Sequence, residues 1–315
     1  MEPLRRVISY DPIPITLPVG DIAGFGEAPT LSAWLFVPPT LDPAQPQQLT
    51  VCIHGGGYSK RYFHIDAAGV EGYSMARHFA DRGIIVMAID CLGSGESAQA
   101  EAAGNIVWET LAHAHHNAVT HLLGALAAGT LAPPIPALPH LSTIGIGHSL
   151  GGMLVALQQA RYRSFDRIAV LGWSNLGINL PADARIATLD VTGTYAFGSK
   201  ALRREFHMAD VPAEVLATTA ERENLPVSLA LAAQAADRAA VAAAVAAIEV
   251  PVFLGFGEKD TSSTPRGEPG CYKGATDITL FILEGSAHCH NFSSNRVLLW
   301  DRILHWLSES GSVSA

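Results

Sequence analysis

Ile144-Gly145-Ile146-Gly147-His148-Ser149-Leu150-Gly151-Gly152 decides how the rest of the chain is read. It is a buried-strand pattern running into a serine between glycines, with a helical pattern directly after. Within it, Gly147-His148-Ser149-Leu150-Gly151 fits G-x-S-x-G. A strand that turns sharply into a helix has no room for side chains beside the serine, and glycine removes the Cβ that would collide. Such a turn raises the Ser149 hydroxyl to the carboxyl edge of a sheet, at a helix N-terminus. Serine is also a common helix N-cap, so the five residues alone do not settle its role. Their placement after an apolar β-run does more, and two further motifs bear on it.

The first lies upstream. A β-rich entry, with strand character over residues 30–37 stopped by Pro38-Pro39, leads to Leu49-Thr50-Val51-Cys52-Ile53 and then His54-Gly55-Gly56-Gly57. A glycine run is often only a flexible turn. After a strand it also lets backbone N–H groups approach an oxyanion that side chains would otherwise screen. Residues 69–82 read as a helix with Gly83 at its C-cap, and 84–89 as a continuous apolar strand of the buried parallel kind. The loop Asp90-Cys91-Leu92-Gly93-Ser94-Gly95-Glu96-Ser97 lacks the lysine and the immediate helix of a phosphate cradle and reads as structural. A long helix over 105–128 carries Glu109, His113, His115, His116 and His121. No carboxylate or cysteine shares an obvious site with these histidines, so they read as a solvated or core-edge face and not as metal ligands.

Downstream, Arg167 to Trp173 is another apolar strand. Residues 175–248 then show helical, Ala-rich patterns without a strand of the parallel type, which marks a helical cap insertion. The core is accordingly expected from 1–174 and 249–315. Strand patterns resume at 250–256 and 277–283, and a final helix carries Val297, Leu298, Trp300, Ile303, Leu304 and Leu307 at helical spacing. Alternating strands and helices specify an α/β fold, a mostly parallel sheet covered on both faces. The third motif follows the last two strands: Gly257-Glu258-Lys259-Asp260, and Gly285-Ser286-Ala287-His288-Cys289-His290-Asn291-Phe292. Loops at the carboxyl ends of parallel strands gather on one edge. Ser149, Asp260 and His288 are therefore expected together, in the chain order serine, acid, histidine. Glu258 competes with Asp260 for the acid position, and His290 with His288 for the base.

Composition bounds the partners. With 49% hydrophobic and 16% charged residues the 315-residue chain reads as globular, and its net charge of -9 lacks the basic footprint of nucleic-acid binding or of attachment to anionic membranes. Cys52, Cys91, Cys271 and Cys289 are scattered and read as buried free thiols of a reducing compartment. No apolar stretch follows Met1-Glu2-Pro3-Leu4-Arg5-Arg6 as a signal peptide would require, and the Ala-rich stretch 230–248 holds Gln234, Asp237 and Arg238. A cytoplasmic protein is expected.

The segments at His54, Asp90, Gly147, Gly257 and His288 together resemble the α/β-hydrolase fold, over nearly the whole chain. The Asp90 loop is similar to the D-x-x-G-x-G-x-S element of capped hydrolases. The resemblance implies Ser149 as nucleophile, His288 as general base and Asp260 as the acid that orients it. It also implies oxyanion donors at Leu150 N–H and Gly56 N–H, with Gly55 or Gly57 as alternatives for the second. Pocket walls are expected from Gly57, His148, Trp173, Tyr195, Phe197 and Phe206. The implied activity is hydrolysis of a hydrophobic small-molecule ester or lactone, with no cofactor and no catalytic metal. Carbon–carbon bond hydrolysis of a diketone-type substrate uses the same triad and remains open. A serine nucleophile argues against dehalogenase and epoxide hydrolase chemistry, which use a carboxylate there. A non-catalytic ligand-binding member of the fold would ordinarily show a broken triad.

Overall fold

The computed structural model describes residues 11–131, 135–178, 188–189, 194–196, 205–219 and 225–309. The strands are β1 (Ile13–Pro18), β2 (Thr30–Phe36), β3 (Gln47–Ile53), β4 (Ile85–Ile89), β5 (Leu141–His148) and β6 (Arg167–Leu171). Three short ones follow, β7 (Thr188–Leu189), β8 (Thr194–Ala196) and β9 (Val227–Ser228), then β10 (Val252–Lys259) and β11 (Ile278–Ala287). The helices are α1 (Met75–Ala80), α2 (Trp108–Ala128), α3 (Leu150–Tyr162), α4 (Ala213–Leu216), α5 (Leu229–Ala236), α6 (Arg238–Val245) and α7 (Arg296–Ser308).

An 8-stranded sheet has the order β1-β2-β4-β3-β5-β6-β10-β11. Its β1–β2 and β2–β4 pairs are antiparallel and the others parallel. Burial follows this arrangement. All five residues of β4 are buried, because helices cover both faces there, whereas β1 at the antiparallel edge alternates. One face is covered by α2 and α3 through residues such as Leu111, Leu122, Met153 and Leu157. The other is covered by α1 and α7 through Phe79, Trp300, Ile303 and Trp306.

Three local readings change. Within 69–82 the helix is confined to Met75–Ala80, where the Ser74 hydroxyl caps it by accepting the Arg77 N–H at 3.0 Å. The residues before it turn through Gly69 and Gly72, at φ +77° and +79°. In α7, Val297 and Leu298 are exposed by 37% and 60%. Leu298 lies two positions before Trp300, about 200° around the helix from the buried stripe. Cys271 is half-buried, whereas the other three thiols are buried, and none of the four is in a disulfide.

The stretch 175–248 contains, besides helices, the antiparallel sheet β7-β8-β9. At its end α6 packs on α3, and Val241, Val245 and Ile248 join the α2–α3 side of the core. The Asp90 loop is anchored by its own acid. Its buried carboxylate accepts the Lys60 N–H (2.7 Å), the Lys60 ammonium (2.6 Å) and the Glu96 N–H (2.9 Å), joining the loops that follow β3 and β4. Of the α2 histidines, His113 and His121 are exposed and His116 bonds Ser164 Oγ at 3.0 Å. His115 is fully buried in the core, with neither ring nitrogen hydrogen-bonded.

Candidate active site

The strand order places the first two motifs side by side. β3 and β5 are neighbours, with Ile53 opposite Gly147, so the loops leaving their carboxyl ends rise together at the point where the chain reverses its path across the sheet. Ser149 has φ +54° and ψ -121°, a backbone that costs a non-glycine residue about 1–3 kcal/mol and that the surroundings must enforce. They do so from both sides. The Ser149 N–H is held by the Leu171 carbonyl of β6 at 2.7 Å. A Cβ on Gly147 would overlap the Gly151 carbonyl, and one on Gly151 would overlap the carbonyls of Ile53 and His54. Leu150 opens α3, so its N–H is among the helix's first donors, which have no intrahelical acceptor.

The glycine run is held by a side chain. His54 donates from Nδ1 to the Gly55 carbonyl at 2.8 Å, and its Nε2 accepts the Cys91 N–H at 3.2 Å with Ser94 Oγ at 3.1 Å. Burial lowers its affinity for a second proton, and the neutral ring fits these bonds. His54 thus fastens the Gly55–Gly57 turn to the loop after β4.

At the other end of the sheet, β10 and β11 pair as far as Lys259 opposite Ala287. The register shifts by an irregularity between Gly257 and Lys259, and the next residue on each strand is Asp260 and His288, so this shifted register sets them adjacent. His288 Nδ1 lies 2.7 Å from Asp260 Oδ1. His290 reaches the same carboxylate, Nε2 to Oδ2 at 2.8 Å. Glu258 instead points outward and accepts the Gly285 N–H at 2.8 Å. Burial alone would raise the Asp260 carboxyl. The two imidazoles and their hydrogen bonds outweigh it and hold the group well below the usual carboxylate range. His148, beside the serine, is buried and held neutral by that burial first and then by His288 and His290. It donates from Nε2 to the His288 carbonyl at 2.9 Å, and its ring stacks on Tyr62 at 4.4 Å between centroids.

Ser149, His288, Gly55 and Gly56 wall one cavity, and Trp173 and Phe206 form its apolar sides. The Phe206 ring lies 4.6 Å from that of His288, and its carbonyl accepts the Cys289 N–H at 2.9 Å. His148 borders this cavity; Gly57 and Leu150 border a second, across the glycine turn. Tyr195 lies in β8, and Phe197 is outside the described residues. Tyr58, Ser174 and Thr261 also line the first cavity and were not singled out in the sequence. Tyr58 and Thr261 directly follow motif residues, which is the one signal that could have found them. Among the described residues, no three His, Cys, Asp or Glu side chains are arranged to hold a metal ion. None of the described helices is long and apolar enough to cross a membrane.

Comparison with known proteins agrees with this architecture. A search among curated proteins found no match. Among solved structures, the monoglyceride lipase of Saccharomyces cerevisiae, a soluble variant with a substrate analogue, is 16% identical with a TM-score of 0.65, covering 98% of this chain and 98% of that one. The Paleococcus ferrophilus monoacylglycerol lipase is 17% identical at TM-score 0.62, covering 88% of this chain and 98% of that one. The 2-hydroxy-6-oxo-6-phenylhexa-2,4-dienoate hydrolase of Rhodococcus sp. is 15% identical at TM-score 0.59, covering 95% and 98%. At these identities the likeness is one of fold. Residues 50–299 match the model of the alpha/beta hydrolase family, and with the sheet order and elbow above the chain belongs to that family.

Proposed function

We propose that the protein is a serine hydrolase that cleaves a carboxylic ester or lactone of a hydrophobic small molecule through an acyl-enzyme. The observation that carries this reading is the shared cavity. Ser149 on its strained turn and His288, whose Nδ1 is occupied by Asp260, face the same space as Gly55 and Gly56. With Nδ1 bound to the acid, Nε2 is left to take a proton. In the first half-reaction Ser149 Oγ attacks the carbonyl carbon and His288 removes its proton. The oxyanion is met by the N–H groups of Leu150 and Gly56, and collapse expels the alcohol, which takes the proton back from His288. In the second half, water attacks the acyl-serine by the same route and the acid leaves. Asp260 holds the ring orientation and stabilises the imidazolium.

Hydrophobic substrates are supported by the walls. Trp173 and Phe206 flank the serine, and across Gly55 and Gly56 the second cavity is lined by Ile106, Leu111, Leu154 and Leu231. Four cysteines with no disulfide among them support a reducing, cytoplasmic setting. The test is a panel of esters, lactones and a diketone acid of graded size, run on wild type and Ser149→Ala, with labelling by a fluorophosphonate. Labelling and ester or lactone turnover are expected for wild type alone. Turnover of the diketone only would move the assignment to carbon–carbon cleavage. An unlabelled wild type with no turnover would leave a ligand-binding protein.

A further inference from the structure

Asp260 offers both carboxylate oxygens to imidazoles, and the mechanism above uses one of them. Oδ1 accepts His288 Nδ1 at 2.7 Å and the Thr261 N–H at 2.7 Å. Oδ2 accepts His290 Nε2 at 2.8 Å and the Gly257 N–H at 2.8 Å. His290 opens a short 3-10 turn, His290–Phe292, which brings its ring back toward the acid. The ring is 1% exposed, and its Nδ1 has no hydrogen-bond partner. An ionised carboxylate only accepts, so the proton must sit on His290 Nε2, and a second one on Nδ1 would be buried without an acceptor. His290 is not among the residues that line the cavity with Ser149 and His288. It is therefore not placed to take the serine's proton. It is a buried donor aimed at the far side of the acid.

Resting on the serine-hydrolase reading, we infer that His290 is a positioning residue: its Nε2–H locks the rotation of the Asp260 carboxylate and draws negative charge toward Oδ2, away from His288. The first effect keeps Oδ1 in line with the ring that must swing protons. The second weakens the pull of Asp260 on a protonated His288, so the base is free of its proton further toward acid. The titratable groups packed around His290 are few. Asp260 comes from the β10 loop, and His288 and Cys289 share the loop of His290. His148 at the end of β5 lies with ring centroids 5.5 Å away, and Tyr62 receives the Asn291 N–H at 3.5 Å. Burial keeps His148 and Tyr62 uncharged, so the charge that His290 meets is that of Asp260.

The test is the pH profile of kcat/KM for p-nitrophenyl acetate in wild type, His290→Met and His290→Gln, with Ser149→Ala alongside. Met fills the space without a donor, and Gln keeps an N–H that can reach Oδ2. For His290→Met, kcat is expected to fall about tenfold with little change in KM. Its acid limb should move up by about half a pH unit, because Asp260 then holds the imidazolium more strongly. Gln should return the limb toward wild type and recover most of kcat. A purely structural role would lower activity equally at every pH and leave the limb in place. An unmoved limb in the Met variant, or a Gln variant displaced as far as Met, overturns the inference. Should the Met variant not fold, nitrogen-15 NMR of wild type decides, with the His290 ring assigned through the Gln variant. An Nε2–H tautomer is expected, and an Nδ1–H tautomer overturns the role. A dead Ser149→Ala beside an unmoved limb sinks only the role of His290. An active Ser149→Ala sinks the hydrolase reading beneath it.

Discussion

Glu258 and Asp260 stand two positions apart on one loop, and their surroundings separate them. The Asp260 carboxylate is buried under five donors from Gly257, Thr261 and the two histidines, whereas Glu258 is exposed and meets one backbone N–H. On the proposed mechanism Asp260→Asn should lower kcat by about 10⁴-fold, because an amide can present its NH₂ to the ring and favour the wrong tautomer. Glu258→Gln should stay within about twofold of wild type, as surface changes usually do. Initial rates on an activated ester check both, and a Glu258→Gln loss as large as that of Asp260→Asn would reverse the assignment. The same pair shows what a sequence can carry at this scale. The position of an acid after one strand and a histidine after the next is legible, because parallel register delivers both to one edge. Which of His288 and His290 lines the cavity with the serine is not, since it depends on the short 3-10 turn that His290 opens. That the answer involves both, one on each oxygen of Asp260, has no signature in spacing at all.

Among elements, the parallel strands and the elbow were the most legible, because continuous apolar runs and a G-x-S-x-G turn follow from local sterics. What escaped is how the loops beyond those strands are tied to one another. The glycine turn after β3 gains its shape from His54 and from the buried Lys60–Asp90 pair, contacts that join residues some thirty positions apart and leave no periodic trace. The same limit hid β7-β8-β9, strands of 2 or 3 residues whose pairing is too short to show as alternation. The Asp90 tie makes a sharp expectation. Removing its carboxylate leaves a lysine ammonium that is 2% exposed to the exposed Glu96, the Ser32 hydroxyl and the face of Trp34 at 5.3 Å. Breaking a buried pair from one side is strongly destabilising, so Asp90→Ala should lose about 3 kcal/mol in urea unfolding. Replacing both, as Lys60→Met with Asp90→Leu, should recover part of that loss. A double variant no more stable than the single one would mean that the loop depends on the Asp90 bonds to backbone N–H and not on the pairing of charge.

For the molecule as a whole, these buried groups dictate how it meets acid. His54, His115 and His148 are all pushed by burial toward the neutral form, His115 to about 3. An unfolded histidine takes its proton near pH 6.5, at about that value in model peptides, while the buried ring stays bare. Below that pH the unfolded chain binds more protons than the folded one, so stability falls as pH falls, and for His115 the loss continues down to about 3. Asp260 acts later and in the same direction. Its folded carboxyl is depressed, so its contribution is complete above the unfolded value of about 3.9 and disappears only as pH drops through the lower folded one. The histidines therefore set the acid edge first. His115 is the cleanest to probe, since its ring has no hydrogen-bond partner and lies away from the serine cavity. At about pH 5.5, one unit below the unfolded value, its share of the loss is about 1.4 kcal/mol. His115→Leu keeps the volume and removes the titration, so its stability should drop by about 1.4 kcal/mol less than wild type between about pH 7.5 and about pH 5.5. Urea midpoints and slopes measured at both pH values give the comparison. Equal drops in the two proteins would show that His115 gains its proton without leaving the fold, through an opening between α2 and the sheet that the packing described above does not contain.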